Sequence, residues 1–219
     1  MKPRVAHFLL IPDLAHSPPN DAAVTAWLDL GYEVDLFAPG GGFDVRRYGS
    51  GVRAHVAEYG YRWLARNLIS PRWRRYAAFS GTTEDPMAVA GLLGWLYRRP
   101  VVTMADEIKS GSYAGNRSRR WKDLCRFGMR QAALTVVNEA ERVALQREYA
   151  GLPHGAAMTV YPGCFHEPPS PGDRAALRAA RGLPPDALVV CYSGVMNHGN
   201  GGLWMVDALS QVPDLWVWG

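Results

Sequence analysis

Three absences narrow the chemistry before any motif is considered. Cysteine occurs only three times in 219 residues, at Cys125, Cys164 and Cys191. An odd number with no short spacing indicates neither a disulfide framework nor a zinc site, and a reducing compartment follows as the expected home. No apolar run reaches the ~20 residues that a helix needs to cross a bilayer. The run Val5 to Ile11, behind Lys2 and Arg4, ends in Pro12-Asp13 without a small-residue cleavage pattern, so it reads as a first strand rather than a signal peptide. No G-x-G-x-x-G follows that strand, which argues against a dinucleotide fingerprint: nothing there lets a pyrophosphate approach the backbone closely.

What is present suffices for a large core. Apolar residues make up 48% of the chain and include eight tryptophans, and nothing in the composition suggests disorder. The net charge of +4 hides an asymmetry. Residues 1–61 carry 5 Lys/Arg against 7 Asp/Glu, whereas residues 62–130 carry 14 against 5. Such a block is either a solvated face or an attraction to something anionic: membrane lipid, a phosphorylated acceptor or nucleic acid. Arg72-Trp73-Arg74-Arg75-Tyr76 interleaves cations and rings, which suits a bilayer interface and equally suits base stacking.

The order of elements predicts an α/β protein. Arg4 to Ile11 reads as a buried strand, and a proline-rich loop with Asp13 and His16 follows it. Asn20 is then expected to cap a helix with the stripe Ala23, Ala26, Trp27 and Leu30, closed by Gly31. Tyr32 to Ala38 is the next strand, so parallel strands and their crossover begin at once. Val52 to Ala57 and Tyr76 to Ser80 read as further strands, with a helix over Tyr59 to Ser70. Asp85 as N-cap and Pro86 at the first helical position predict a helix over Met87 to Tyr97 that is apolar nearly all round, hence central. Its Gly91 and Gly94 are expected to let it approach the sheet. Pro100 to Ala105 is a strand that empties into Asp106-Glu107, the place where α/β proteins put chemistry. An amphipathic helix over Arg117 to Ala133, a strand over Leu134 to Val137, a helix over Glu139 to Ala150 and a short strand over Met158 to Tyr161 complete a doubly wound parallel Rossmann-like domain over residues 1–164.

Residues 165–172 are proline-rich and aperiodic, which reads as a linker. Residues 173–219 then run through a short helix capped by Asp173, a strand (Leu188 to Tyr192), a Gly/Asn-rich turn, a helix and a last strand (Leu215 to Trp218). That is the first β-α-β unit of a second Rossmann-like domain. Two strands and one helix cannot cover both faces of a sheet, so the remainder of this domain is expected to be missing.

Two successive Rossmann-like domains joined in this way resemble the GT-B fold, and specific stretches resemble glycosyltransferase family 4, retaining enzymes that use nucleotide-sugars. Leu134 to Leu145 looks like the family's strand-and-helix segment, with Asn138 near its usual serine. Val160-Tyr161-Pro162-Gly163-Cys164-Phe165 resembles its V-x-P-N-G-V-D, and Arg174 to Gly194 resembles the stretch that opens the donor domain. Val195 stands where the family usually has a phosphate-binding arginine, and Asn200 where it has a lysine. The resemblance implies acceptor binding by the first domain and donor binding by the second, with transfer in the cleft. It implies no cofactor and usually no metal, the nucleotide-sugar being the donor substrate. On this basis Asp106 and Glu107 are the catalytic candidates, Asp13, His16 and Lys109 contact the acceptor, and Gly194, Asn200 and Gly201 hold the donor phosphates.

The expected function is therefore transfer of a sugar to a lipid-linked or cell-envelope glycan, in the cytoplasm, with peripheral contact at the inner face of the membrane through the basic segment 62–130. The chain by itself is expected to be inactive because the donor domain is incomplete. The alternative is a non-catalytic acceptor-binding or regulatory module completed by a partner chain. Nucleic acid is not an expected partner, because no recognised nucleic-acid motif occurs and the cations are spread over several elements.

Overall fold

A computed structural model describes residues 2–11, 14, 17–40, 44–105, 119–161, 172–191, 202–211 and 216–218. The chain divides into two compact units, Met1–Cys164 and Phe165–Gly219. In the first, strands β1 (Arg4–Phe8), β2 (Glu33–Ala38), β3 (Val52–Val56), β4 (Ala78–Thr82), β5 (Val101–Ala105), β6 (Leu134–Val137) and β7 (Met158–Val160) form one parallel sheet in the order β3-β2-β1-β4-β5-β6-β7. The chain winds outward from β1 to β3, returns to lay β4 beside β1, and winds outward again. The direction of winding therefore reverses between β1 and β4, where open α/β sheets form their ligand crevice. Helices α1 (Pro18–Asp29), α2 (Tyr61–Asn67), α3 (Glu84–Tyr97), α4 (Arg119–Met129) and α5 (Ala140–Ala150) lie between the strands.

Alternation along the strands sorts the core into two layers. Ala6 and Phe8 point with Phe37, Phe79, Val101, Ala105 and Val137 into the larger core, under α3 and α4. The opposite parity, Val34 and Leu36 with Leu9, Ala38 and Val52, packs under α1 through Val24. Phe8, Phe37, Trp63, Trp73, Tyr76 and Phe79 form a connected aromatic cluster in the larger core. Trp73 is fully buried although the basic run around it reads as surface, and its Nε1 donates to the Asn67 carbonyl at 2.6 Å. Beside it, the buried Asp35 carboxylate accepts from Tyr76 and Arg75. Burial pushes its pKa up, but the side chains of His55 and Tyr76 against it and the charge of Arg4 outweigh burial and hold it at about 2.

α3 is central: Pro86 to Gly94 are all buried. The two glycines expected to serve the sheet have separate roles. A Cβ on Gly94 would stand 2.0 Å from Val101 Cγ2 of β5, so Gly94 does face the sheet. A Cβ on Gly91 would instead stand 1.8 Å from the carbonyl oxygen of Gly128 in α4, and one on Gly128 would stand 2.4 Å from the Ala88 carbonyl oxygen. Gly91 and Gly128 therefore bring two helix backbones together.

Several predicted boundaries move for local physical reasons. β1 ends at Phe8, and Ile11 is exposed. α1 starts at Pro18, behind Ser17, and Asn20 is buried inside its first turn rather than capping it. Pro18 and Pro19 are tolerated there because first-turn N–H groups have no intrahelical partner. α3 likewise starts at Glu84, so Asp85 is not its cap. In the second unit, α6 (Arg174–Ala180) is capped by the Asp173 carboxylate, which accepts from the amides of Ala175 and Ala176. β8 (Val189–Cys191) and β9 (Trp216–Trp218) pair in parallel, with α7 (Gly202–Leu209) between them in sequence.

Candidate active site at the carboxyl end of the sheet

At the carboxyl end of β1, the Tyr59 hydroxyl accepts from the Leu9 amide at 3.2 Å and donates to the Phe37 carbonyl at 2.5 Å. Burial raises its pKa well above the ordinary tyrosine value, so it stays neutral and fixes the point from which the β1–α1 loop departs. Next to it, β4 passes into α3 through Thr83, whose backbone lies at φ 65° and ψ 173°. That region is sparsely used by residues with a Cβ, costs about 1–3 kcal/mol and concentrates at functional sites. The Thr83 amide donates to the Met104 carbonyl of β5 at 3.2 Å, which helps hold the turn in place.

The first turn of α3 carries two carboxylates with structural partners. Asp85 accepts from Trp121 Nε1 of α4 at 2.8 Å, with Cys125 Sγ 3.8 Å away. Glu84 accepts from the Tyr149 hydroxyl of α5. Burial, reinforced by that carboxylate, raises the Tyr149 pKa. The carboxyl end of β4 is thus tied by side chains to both helices that follow. Among the described residues no cluster of three metal-ligating side chains occurs.

The residues singled out by sequence lie outside the described residues, but their loops are rooted within the fold. Asp13 and His16 belong to the loop leaving β1, and Asp106, Glu107 and Lys109 to the loop leaving β5. β1 and β5 flank β4. The two loops therefore start about 10 Å apart, two strand spacings, on either side of Thr83. Gly194, Asn200 and Gly201 belong to the connection from β8 to α7 in the second unit. Sequence reasoning passed over Thr83, since a positive φ in a threonine leaves no mark in composition or periodicity. It also passed over His7. That side chain is fully buried on the α1 side of β1, in register with Leu36 and Ser80, and burial lowers its pKa to about 4. Among the described residues, both its ring nitrogens, and the buried hydroxyls of Ser80 and Thr82 on β4, lack hydrogen-bond partners.

On the same face an apolar groove of about 330 Å³ runs over β4, β5 and β6. Its floor is Ser80, Val102, Met104, Leu134 and Val136, and its walls include Trp27, Leu30 and Tyr161.

No family model matches the sequence, and no curated protein matches it. Solved structures do match the fold. Anabaena HepE in complex with UDP is 20% identical, with a TM-score of 0.68 over 98% of this chain and 59% of that one. Sucrose-phosphate synthase from Thermosynechococcus elongatus is 16% identical, with a TM-score of 0.66 over 99% of this chain and 61% of that one. WaaG, a glycosyltransferase involved in lipopolysaccharide biosynthesis, is 11% identical, with a TM-score of 0.61 over 97% and 62%. The fold is the α/β, Rossmann-like fold of GT-B glycosyltransferases. The chain spans about three fifths of the length of these proteins. No helix among the described residues is long and apolar enough to cross a membrane.

Proposed function

We propose that the protein is a nucleotide-sugar-dependent glycosyltransferase of the family 4 type, which transfers with retention to a lipid-linked or cell-envelope glycan. The observation that carries this reading is the match of fold across nearly the whole chain to HepE, which was crystallised with UDP and with UDP-glucose. The reversal of winding at β1 and β4 supplies the crevice that such chemistry needs. In this reading residues 1–164 receive the acceptor, residues 165–172 link, and residues 173–219 open the donor domain. Asp106, with Glu107, orients and polarises the acceptor hydroxyl, and Asp13, His16 and Lys109 hold the acceptor. Gly194 and the amides around Asn200-Gly201, just before α7, receive the diphosphate, since a helix N-terminus attracts anions. The basic segment 62–130 keeps the protein at the inner face of the membrane. The fold likeness does not favour a non-catalytic module.

The test is a transfer assay with radiolabelled nucleotide-sugars. A longer protein with a complete donor domain is expected to transfer or hydrolyse sugar, and the 219-residue chain alone to turn over none. Asp106→Asn in the longer protein should lower kcat by about 10²–10⁴-fold at unchanged melting temperature, the range for loss of a general base. Retention is read from the anomeric proton of the first-formed product. Turnover by the short chain, or an inverted product, overturns the corresponding part of the reading.

A further inference from the structure

We propose that the amino end of the sheet, opposite the candidate active site, is a docking surface for an anionic lipid bilayer. It is built where α3 ends. The Tyr97 hydroxyl is within hydrogen-bond reach of the carbonyls of Leu68 and Ser70, at 3.1 and 2.9 Å. This pins the turn on both sides of Ile69 and leaves that side chain 77% exposed. On α3 itself, buried from Pro86 to Gly94, the next two residues break the pattern: Trp95 is 57% exposed and Leu96 38%. Trp95 meets Phe127 of α4 edge to face, with ring centroids 5.6 Å apart, so α4 continues the surface.

Along the stretch that carries Ile69, Trp95 and Leu96 the charge has one sign, and on α4 the exposed Asp123 lies one turn before Phe127. No Asp or Glu occurs between Glu58 and Glu84, or between Asp85 and Asp106. Glu84 and Asp85 lie at the far end of α3, about 20 Å away by helix rise. Arg72, Arg74, Arg98 and Arg99 are exposed, and among the described residues none of them pairs with a carboxylate. Arg99 donates to the Arg74 carbonyl at 3.4 Å, joining the end of α3 to the turn before β4. These four cations are arginines, whose planar fork binds phosphate oxygens in pairs.

Exposed aliphatic side chains decide between partners. Ile69 and Leu96 gain nothing from a phosphodiester backbone, but they gain by entering the boundary between headgroups and acyl chains, where tryptophan also settles. Cations around them then meet anionic headgroups. Because this surface lies at the opposite end of the sheet, lipid engagement does not cover the carboxyl-end crevice.

This deepens the membrane-contact part of the proposed function and rests on it. Vesicle binding needs no nucleotide-sugar, so failed docking leaves the transfer chemistry standing, and a failed transfer assay leaves the docking surface standing. The full 219-residue chain is floated with vesicles of phosphatidylcholine alone or with about 30% phosphatidylglycerol, the anionic lipid supplying the surface potential. Binding is expected only to the anionic vesicles, and it should be released as salt rises from about 0.1 M to 1 M, where the Debye length shrinks from about 10 to 3 Å. Ile69→Ser with Trp95→Ala, and separately Arg98→Gln with Arg99→Gln, should each lower the bound fraction about tenfold or more. Ile69→Ser alone lies at an exposed turn tip and should weaken binding with an unchanged melting curve. Leu145→Ser, an exposed apolar position on α5, should change nothing. Equal binding to neutral vesicles, no binding to anionic ones, or variants that bind like the parent would overturn the proposal. Tighter binding to a single-stranded oligonucleotide, lost in the arginine variant but kept in the Ile69/Trp95 variant, would reassign the surface to nucleic acid.

Discussion

The two faces of the seven-stranded sheet are built on different terms. Toward α3 and α4 it is sealed: a glycine pair brings the two helices together, aromatic rings interlock, Tyr76 donates to one oxygen of Asp35 and Thr103 meets Thr135, although the other Asp35 oxygen and His55 Nε2 have no hydrogen-bond partner among the described residues. Toward α1 the sheet is covered over β1 and β2, but over β4, β5 and β6 it carries an apolar groove, and beside that groove lie polar atoms of His7, Ser80 and Thr82 without partners among the described residues. The sealed face is where stability resides. The α1 face leaves apolar area and polar groups unspent, although parallel sheets are ordinarily covered on both sides.

The sharpest way to break the contrast is at the helix contact. Gly91→Val would place its Cβ within 1.8 Å of the Gly128 carbonyl. Backbone cannot yield as a flexible side chain does, so a loss on the order of 3 kcal/mol or more is expected in urea unfolding.

The α1 face predicts a pH effect of similar size. His7 titrates near 4 when folded, against 6.5 as the ordinary value. As pH falls from 6.5 to 4, the unfolded chain takes up a proton that the folded one refuses. Stability is therefore full above pH 6.5 and declines toward pH 4, by on the order of 3 kcal/mol over the window. His7→Leu should flatten that decline, as read by unfolding at pH 7 and pH 5. An unchanged slope would show that other groups govern it.

The smallest effect compares neighbours on one strand. Val137 is 1% exposed and faces the sealed core, whereas Val136 lines the groove and is half-buried. Val137→Thr should cost about 1–3 kcal/mol for burying a hydroxyl without a partner, and Val136→Thr only about 0.5 kcal/mol. Equal costs would mean that the groove is covered in solution.

Much of this architecture was legible. The apolar runs at β2, β5 and β6, the nearly all-apolar α3 and the amphipathic α4 are legible in the pattern of apolar residues, because burial imposes it. Helix starts were less legible. Ser17 and Thr83 precede their helices without a side-chain capping bond, so the residue types that usually betray a cap were found inside the first turn instead. Of the candidate site, the loops were legible as proline- and glycine-rich exits from strands, but their juxtaposition was not: nothing in the local sequence says that β1 and β5 flank β4. Trp73 shows the same limit from the other side, since a tryptophan among arginines reads as surface and lies in the core.

By itself the sequence determined that parallel strands alternate with helices, because apolar runs of strand length separated by helical stretches admit few other arrangements. It also determined that the middle of the chain is basic and short of carboxylates. Only the tertiary structure decided the strand order, the meeting of Gly91 with Gly128, and the exposure of Ile69, Trp95 and Leu96 beside arginines that have no carboxylate partner among the described residues. Each of these depends on contacts between residues far apart in the chain, and local propensity carries no information about which distant surface a side chain will meet.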